Sequence, residues 1–95
     1  MENEKMTTYE NALNAFIEAR KELAAASVAY DTERHSARKA LYDLKGSGVR
    51  KMTEEQIRSE ATVTCKETYE RYYKALAESE IARERLEFVK AIINN

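Results

Sequence analysis

The chain contains no proline, and its two glycines, Gly46 and Gly48, stand almost side by side near the middle of 95 residues. Proline and glycine are the strongest interrupters of regular backbone. The sequence therefore predicts one break and two long uninterrupted arms. Charged residues make up 35% of the chain, and Ala, Glu, Lys, Arg and Leu are prominent in it, the composition of long or coiled helices. The length suits a single domain.

Each arm carries a repeating apolar stripe. On the first, expected as a helix over 7–44, Tyr9, Leu13, Phe16, Arg20, Leu23, Ser27, Tyr30, Arg34, Ala37, Leu41 and Leu44 recur in alternating steps of four and three. This is a heptad seam. Thr7 and Glu10 form a T-x-x-E capping box at its start, and Gly46 is the expected left-handed stop. On the second, expected as one helix over 53–94 after a turn over 45–52, Thr53 and Gln56 form another capping box. Met52 stands where it can staple onto Ile57. Ile57, Ala61, Cys65, Thr68, Tyr72, Ala75, Ser79, Ala82, Leu86, Val89 and Ile93 then share one face.

The two stripes fit each other when the chain folds back on itself. Leu44 then faces Ile57, Leu41 faces Ala61, Tyr30 faces Tyr72, Phe16 faces Leu86 and Tyr9 faces Ile93, in constant register. The expectation is an all-α, antiparallel two-helix hairpin forming a single domain. A hairpin with one seam buries little core for its size. Beside the seam lies a second apolar set, Ile17, Ala24, Val28 and Tyr42 on the first arm and Tyr69, Tyr73, Leu76, Ile81, Phe88 and Ile92 on the second. Exposed apolar patches of this kind mark interaction surfaces. A homo-oligomer is therefore expected, two hairpins forming a four-helix bundle or larger assembly. The predicted interface is Ile17, Val28, Tyr69, Tyr73, Leu76, Ile81, Phe88 and Ile92.

Residues with reactive chemistry are sparse. Cys65 and His35 are each the only one of their kind. The register brings them near one another, and a cysteine–histidine pair can activate a thiolate. Cys65, however, falls on the apolar seam, His35 falls beside it, and the pattern supplies no orienting third group. Two such residues are also short of a usual zinc set. The acidic pairs Glu54–Glu55, Glu78–Glu80 and Glu84–Glu87 read as helix surface, with Glu54–Arg58, Glu67–Arg71 and Glu70–Lys74 spaced for i,i+4 pairing. The expectation is a non-enzymatic protein without a metal or cofactor. Tyr30, Tyr69, Tyr72 and Tyr73 near Arg34, Arg71 and Lys74 present the aromatic-plus-basic mixture on which bases stack, but helical spacing assigns at least Tyr30 and Tyr72 to the seam.

Sixteen basic residues against 17 acidic ones leave a net charge of −1, so no bulk field draws the chain to nucleic acid or a membrane. The charge is uneven all the same. The segment 38–51 holds Arg38, Lys39, Lys45, Arg50 and Lys51 against Asp43 alone, a local +4 that leaves −5 elsewhere. With the backbone N–H groups of Gly46-Ser47-Gly48, these five residues are the predicted contact for a phosphate or for weak single-stranded DNA binding. The alternative is a solvated turn whose cations complement the carbonyl end of the first helix. The polar opening residues predict no secretory signal. No apolar run approaches the roughly 20 residues of a membrane span, so a cytoplasmic location in a bacterial host cell is expected.

On the second arm the succession Ile57-Arg58, Tyr69, Tyr72-Tyr73, Ala77, Glu80, then Ala82-Arg83-Glu84-Arg85-Leu86-Glu87 and Lys90 follows a glycine turn. It resembles small helical-hairpin proteins encoded by phages and prophages of Gram-positive bacteria, over roughly 30–93. Genes for such proteins often lie beside single-strand-annealing recombinases and single-stranded-DNA-binding proteins. The resemblance implies a phage or prophage scaffold or accessory assisting DNA recombination or replication, partnered by another protein of phage or host. A phage-encoded inhibitor or sponge of a host defence protein or its nucleotide signal is the alternative, and a structural coiled-coil adaptor a third reading.

Overall fold

In a computed structural model, the backbone is described for residues 2–48 and 51–94 and the side chains for residues 4–48 and 51–94. The described chain is all-α. Helix α1 spans Glu2–Gly46, α2 Glu54–Thr64 and α3 Lys66–Asn94. Contacts divide it into two compact units, one of Met1–Ala25 with Tyr73–Asn95, the other Ala26–Tyr72. Each is taken below by itself and termed the termini unit and the turn unit.

Three of these boundaries correct the sequence reading. Thr7 does not cap the first helix, because α1 already runs from Glu2. Nothing before Thr7 is a helix breaker, and Thr8 donates its hydroxyl to the Glu4 carbonyl at 2.8 Å, as a threonine inside a helix does. Gly46 is not the left-handed stop but the last residue of α1, and the positive φ falls at Gly48, at 76°. The helix runs past the expected end at Leu44 to Gly46, with Ser47 N donating to Asp43 O at 3.0 Å. The chain then tightens, Gly48 N donating to Lys45 O at 3.2 Å. Ser47 Oγ donates to Leu44 O at 2.8 Å, so Ser47 and Gly48, just beyond α1, satisfy three of its last carbonyls.

The third correction is the break at Cys65, which divides the expected second helix into α2 and α3 and makes three helices of two. Cys65 has φ −98° and ψ 27°, off the helical basin. The cause is the β-branched run Thr62-Val63-Thr64 ahead of it. Such residues lose side-chain freedom in a helix. Two of them also bond backwards, Thr62 Oγ1 to Arg58 O at 3.0 Å and Thr64 Oγ1 to Glu60 O at 2.9 Å, a pattern that bends helices. The break leaves few bonds unmade. Cys65 N donates to Ala61 O at 3.1 Å, and Cys65 O accepts from Tyr69 N at 2.9 Å and Thr68 Oγ1 at 3.0 Å.

The start of α2 follows expectation. Thr53 is its N-cap in extended conformation, Gln56 N donates to Thr53 Oγ1 at 3.2 Å, and Thr53 N donates to Gln56 Oε1 at 2.9 Å. This satisfies two otherwise orphaned donors. Met52 and Ile57, the expected staple, are both buried.

Both stripes point inward. Of the eleven first-arm seam positions only Arg20 and Leu44 are exposed, and none of the eleven on the second arm is. Arg20 keeps its charge in water, and Leu44 sits in the last turn of α1. In the termini unit, Ala12, Leu86 and Val89 form the buried centre, with Tyr9, Leu13, Phe16 and Ile93 packed around it. In the turn unit the centre is Ile57, Ala61 and Cys65, each without exposed surface, together with Ala26, Tyr30 and Met52. The seam reading passed over one column, Ala12, Ala19 and Ala26, which is buried or half-buried. Small side chains at heptad spacing let a neighbouring helix come close.

Candidate functional site

The turn unit brings three tyrosines and an arginine together. Tyr30 of α1 is buried and meets two rings of α3. Its centroid lies 5.6 Å from Tyr69, nearly edge-on at 78°, and 5.8 Å from Tyr72, stacked at 26°. These are the separations at which aromatic pairs attract beyond simple burial. Arg34, one turn along α1, lies over the Tyr30 ring at 5.1 Å and reaches Asp31 at 3.4 Å. Three of the four tyrosines considered for base stacking are thus engaged with one another, Tyr30 buried and Tyr69 and Tyr72 half-buried.

Arg34 also lines a surface hollow of about 260 Å³ with Arg38 of α1 and Arg58 and Thr62 of α2. Arg34 and Arg38 are half-buried and Arg58 is exposed. Beside them, Tyr42 of α1 donates its hydroxyl proton to Glu54 of α2. That bond, followed by desolvation and the Glu54 charge, raises the Tyr42 pKa above its ordinary value, while the charges of Arg38 and Arg58 pull it back. Both arginines therefore act on the same small region.

Of the five residues predicted from the turn's charge, four are described, and one of these four joins this cluster. Arg38 does. Lys39, Lys45 and Lys51 are exposed, and Arg50 lies outside the described residues. Arg34 and Arg58 were not in the predicted contact set. Their sequence signal is faint, an i,i+4 arginine pair on α1 and an arginine early in α2 whose placement depends on how the turn closes.

Cys65 is buried, and burial pushes its thiol pKa up, with the Glu33 charge adding to the rise and Arg34 opposing it. A raised pKa is the reverse of what a nucleophilic thiolate needs. His35, expected near it, is exposed. Among the described residues no group of three or more His, Cys, Asp and Glu side chains is placed to hold a metal ion, and no helix is long and apolar enough to cross a membrane.

The termini unit presents a different feature. Along α3, Tyr73, Ala77, Ile81, Phe88 and Ile92 recur at helical spacing and are all exposed, with Ile81 60% and Phe88 66% accessible. Ile17 of α1 is exposed as well. Of the predicted interface residues, Ile17, Val28, Tyr73, Ile81, Phe88 and Ile92 are exposed, whereas Tyr69 and Leu76 are half-buried. Ile92 also lines a hollow of about 350 Å³ with Glu4, Lys5, Thr8, Val89 and Ile93. Glu84 falls on the same face between Ile81 and Phe88, and Arg83 pairs with Glu80 at 2.7 Å.

No protein-family model matches this chain. No curated protein and no solved structure matches it either.

Proposed function

We propose that this chain is a non-enzymatic helical scaffold that assembles with further copies of itself through the exposed α3 stripe. The observation that carries this reading is the row of Tyr73, Ile81, Phe88 and Ile92, large apolar side chains at helical spacing and about half or more exposed. Monomers rarely leave so ordered an apolar row in water. A second copy is the natural occupant. The row has the same heptad-like period as the stripe this helix buries, so the same helix in a second copy can pack against it. The resemblance to phage and prophage hairpin proteins extends the reading to a role beside a recombination or replication assembly in a bacterial host cell.

An inhibitor or sponge of a host defence protein or its nucleotide signal is the second reading, and the arginine hollow favours it. A nucleotide sponge requires that hollow, whereas a scaffold requires the apolar stripe. Size-exclusion chromatography with light scattering separates the two. A scaffold gives a mass at least twice 11.0 kDa, and Ile81→Gln with Phe88→Gln lowers it while helicity persists. A mass near 11.0 kDa at every loading concentration contradicts the scaffold.

A further inference from the structure

The hollow between α1 and α2 is rich in hydrogen-bond donors. Three of its four lining residues are arginines, and a guanidinium offers five N–H donors and no acceptor. The fourth, Thr62, already gives its hydroxyl proton to the Arg58 carbonyl at 3.0 Å. Two carboxylates nearby already have partners: Asp31 accepts from Arg34 at 3.4 Å, and Glu54 accepts the Tyr42 hydroxyl proton. Arg34 is held in place by the Tyr30 ring on one side and Asp31 on the other, so part of its ordering cost is met before any ligand arrives.

We infer that the hollow lined by Arg34, Arg38, Arg58 and Thr62 is a binding site for a phosphate group. Like charges gathered around a concavity repel one another, and a bound anion reverses that cost. Planar guanidinium forks match phosphate oxygens in pairs, which makes arginine the residue of phosphate recognition. A phosphate suits three arginines better than a carboxylate does, since it offers more acceptor oxygens and more charge. Size narrows the ligand further. At about 260 Å³ the hollow falls below the roughly 300–1,000 Å³ of sites that enclose a drug-sized molecule. It takes the phosphate itself, with the rest of the ligand left outside. The group can belong to a nucleic-acid strand or to a free nucleotide. Its location differs from the turn, where Lys39, Lys45 and Lys51 are exposed, and the site does not depend on self-association.

The test uses the full chain at about 50 mM salt, where phosphate contacts are strongest. A dye-labelled oligo-dT is titrated by fluorescence anisotropy, and inorganic phosphate and ADP are titrated separately by calorimetry. Arg38→Gln with Arg58→Gln should weaken binding about tenfold or more and, for the oligonucleotide, flatten the salt slope by roughly 1.4, about 0.7 per contact on a single strand. Lys39→Gln with Lys45→Gln and Lys51→Gln should leave the affinity within about twofold at matched salt, since these lysines only add to the general field. Binding of ADP or phosphate that is lost in the arginine variant supports the site with a free ligand as its source. Binding of oligo-dT alone, lost in the same variant, supports it with a strand as its source. Should the arginine variant lose helicity, the wild type decides. Phosphate must then move the Arg34, Arg38 and Arg58 Nε–Hε resonances in a nitrogen–proton correlation spectrum. Shifts confined to other residues, no binding of any probe, or binding abolished by the lysine variant alone would each overturn the inference.

Discussion

The termini unit and the turn unit are built from the same kind of helix, yet they solve the problem of a thin core differently. The turn unit closes its core. Ile57, Ala61 and Cys65 have no exposed surface, and Tyr30, Tyr69 and Tyr72 pack ring to ring. The termini unit leaves its core slightly open, with Leu86 and Val89 still 6% and 8% accessible, and it turns Ile81 and Phe88 outward. Its buried set, Ala12, Ala75, Ser79, Leu86 and Val89, contains no aromatic ring. The difference teaches where each unit has spare binding capacity. The turn unit sets three arginines around one hollow. The open unit spends its surface on apolar side chains, which need another surface to cover them.

The largest effect expected from this contrast is on the cores themselves. Ile57→Ala should destabilise the chain by about 3–5 kcal/mol, the upper part of the range for emptying a closed apolar site. Leu86→Ala, in the more open core, should cost about 2–3 kcal/mol, since a site near the surface relaxes more readily. Urea denaturation followed by circular dichroism measures both. A larger cost for Leu86→Ala would reverse the assignment of closed and open.

A smaller effect belongs to the cap of α2. Thr53→Ala removes the oxygen that accepts from Gln56 N, and should cost about 1 kcal/mol. The loss should be localised, with amide exchange quickening at the start of α2 and little in the termini unit. Uniform quickening across the chain would show that the two units open together.

Smaller again, and opposite in sign, is the repair of the break at Cys65. Val63→Ala with Thr64→Ala replaces two exposed β-branched residues by the best helix former, and should stabilise the chain by about 0.5–1 kcal/mol in total. Carbon chemical shifts at Cys65 should move toward helical values. If they do not, packing around the buried cysteine holds the break, and the β-branched run does not.

The smallest effect is on pH dependence. Cys65 keeps its proton more firmly in the folded chain, because burial disfavours the thiolate. The raised folded pKa contributes stability that is fully present below the ordinary thiol value of 9.0. This contribution is lost as pH rises through the higher folded value. Tyr42, also raised, acts in the same direction at still higher pH. The urea midpoint should therefore fall above about pH 9, and Cys65→Ala should make the fall shallower. An identical fall in that variant would leave Tyr42 and other groups as its source.

Much of this architecture is written in the sequence where the signal is local and strong. The Thr53 capping box, the Met52–Ile57 staple positions and the facing stripes are all legible because period and cap chemistry are short-range rules. The Tyr30–Tyr72 pairing follows from register alone. The break at Cys65 escaped because proline and glycine were taken as the breakers, while Thr62-Val63-Thr64 acts through many small side-chain costs. Thr7 misled for a related reason. A capping motif ends a helix only where the preceding residues cannot continue it, and those before Thr7 can. The arginine hollow was the least legible feature. Arg34 and Arg38 are neighbours on one helix, but Arg58 joins them only through the closure of the turn, which no periodicity specifies.

The division between a charged turn unit and an adhesive termini unit is tested most directly by sedimentation equilibrium on three full-length chains at matched concentrations. The wild type should weigh at least twice 11.0 kDa. Arg38→Gln with Arg58→Gln should weigh the same as the wild type, and Ile81→Gln with Phe88→Gln should shift toward 11.0 kDa. A monomeric wild type, or an assembly dissolved by the arginine pair and untouched by the α3 pair, would contradict the account.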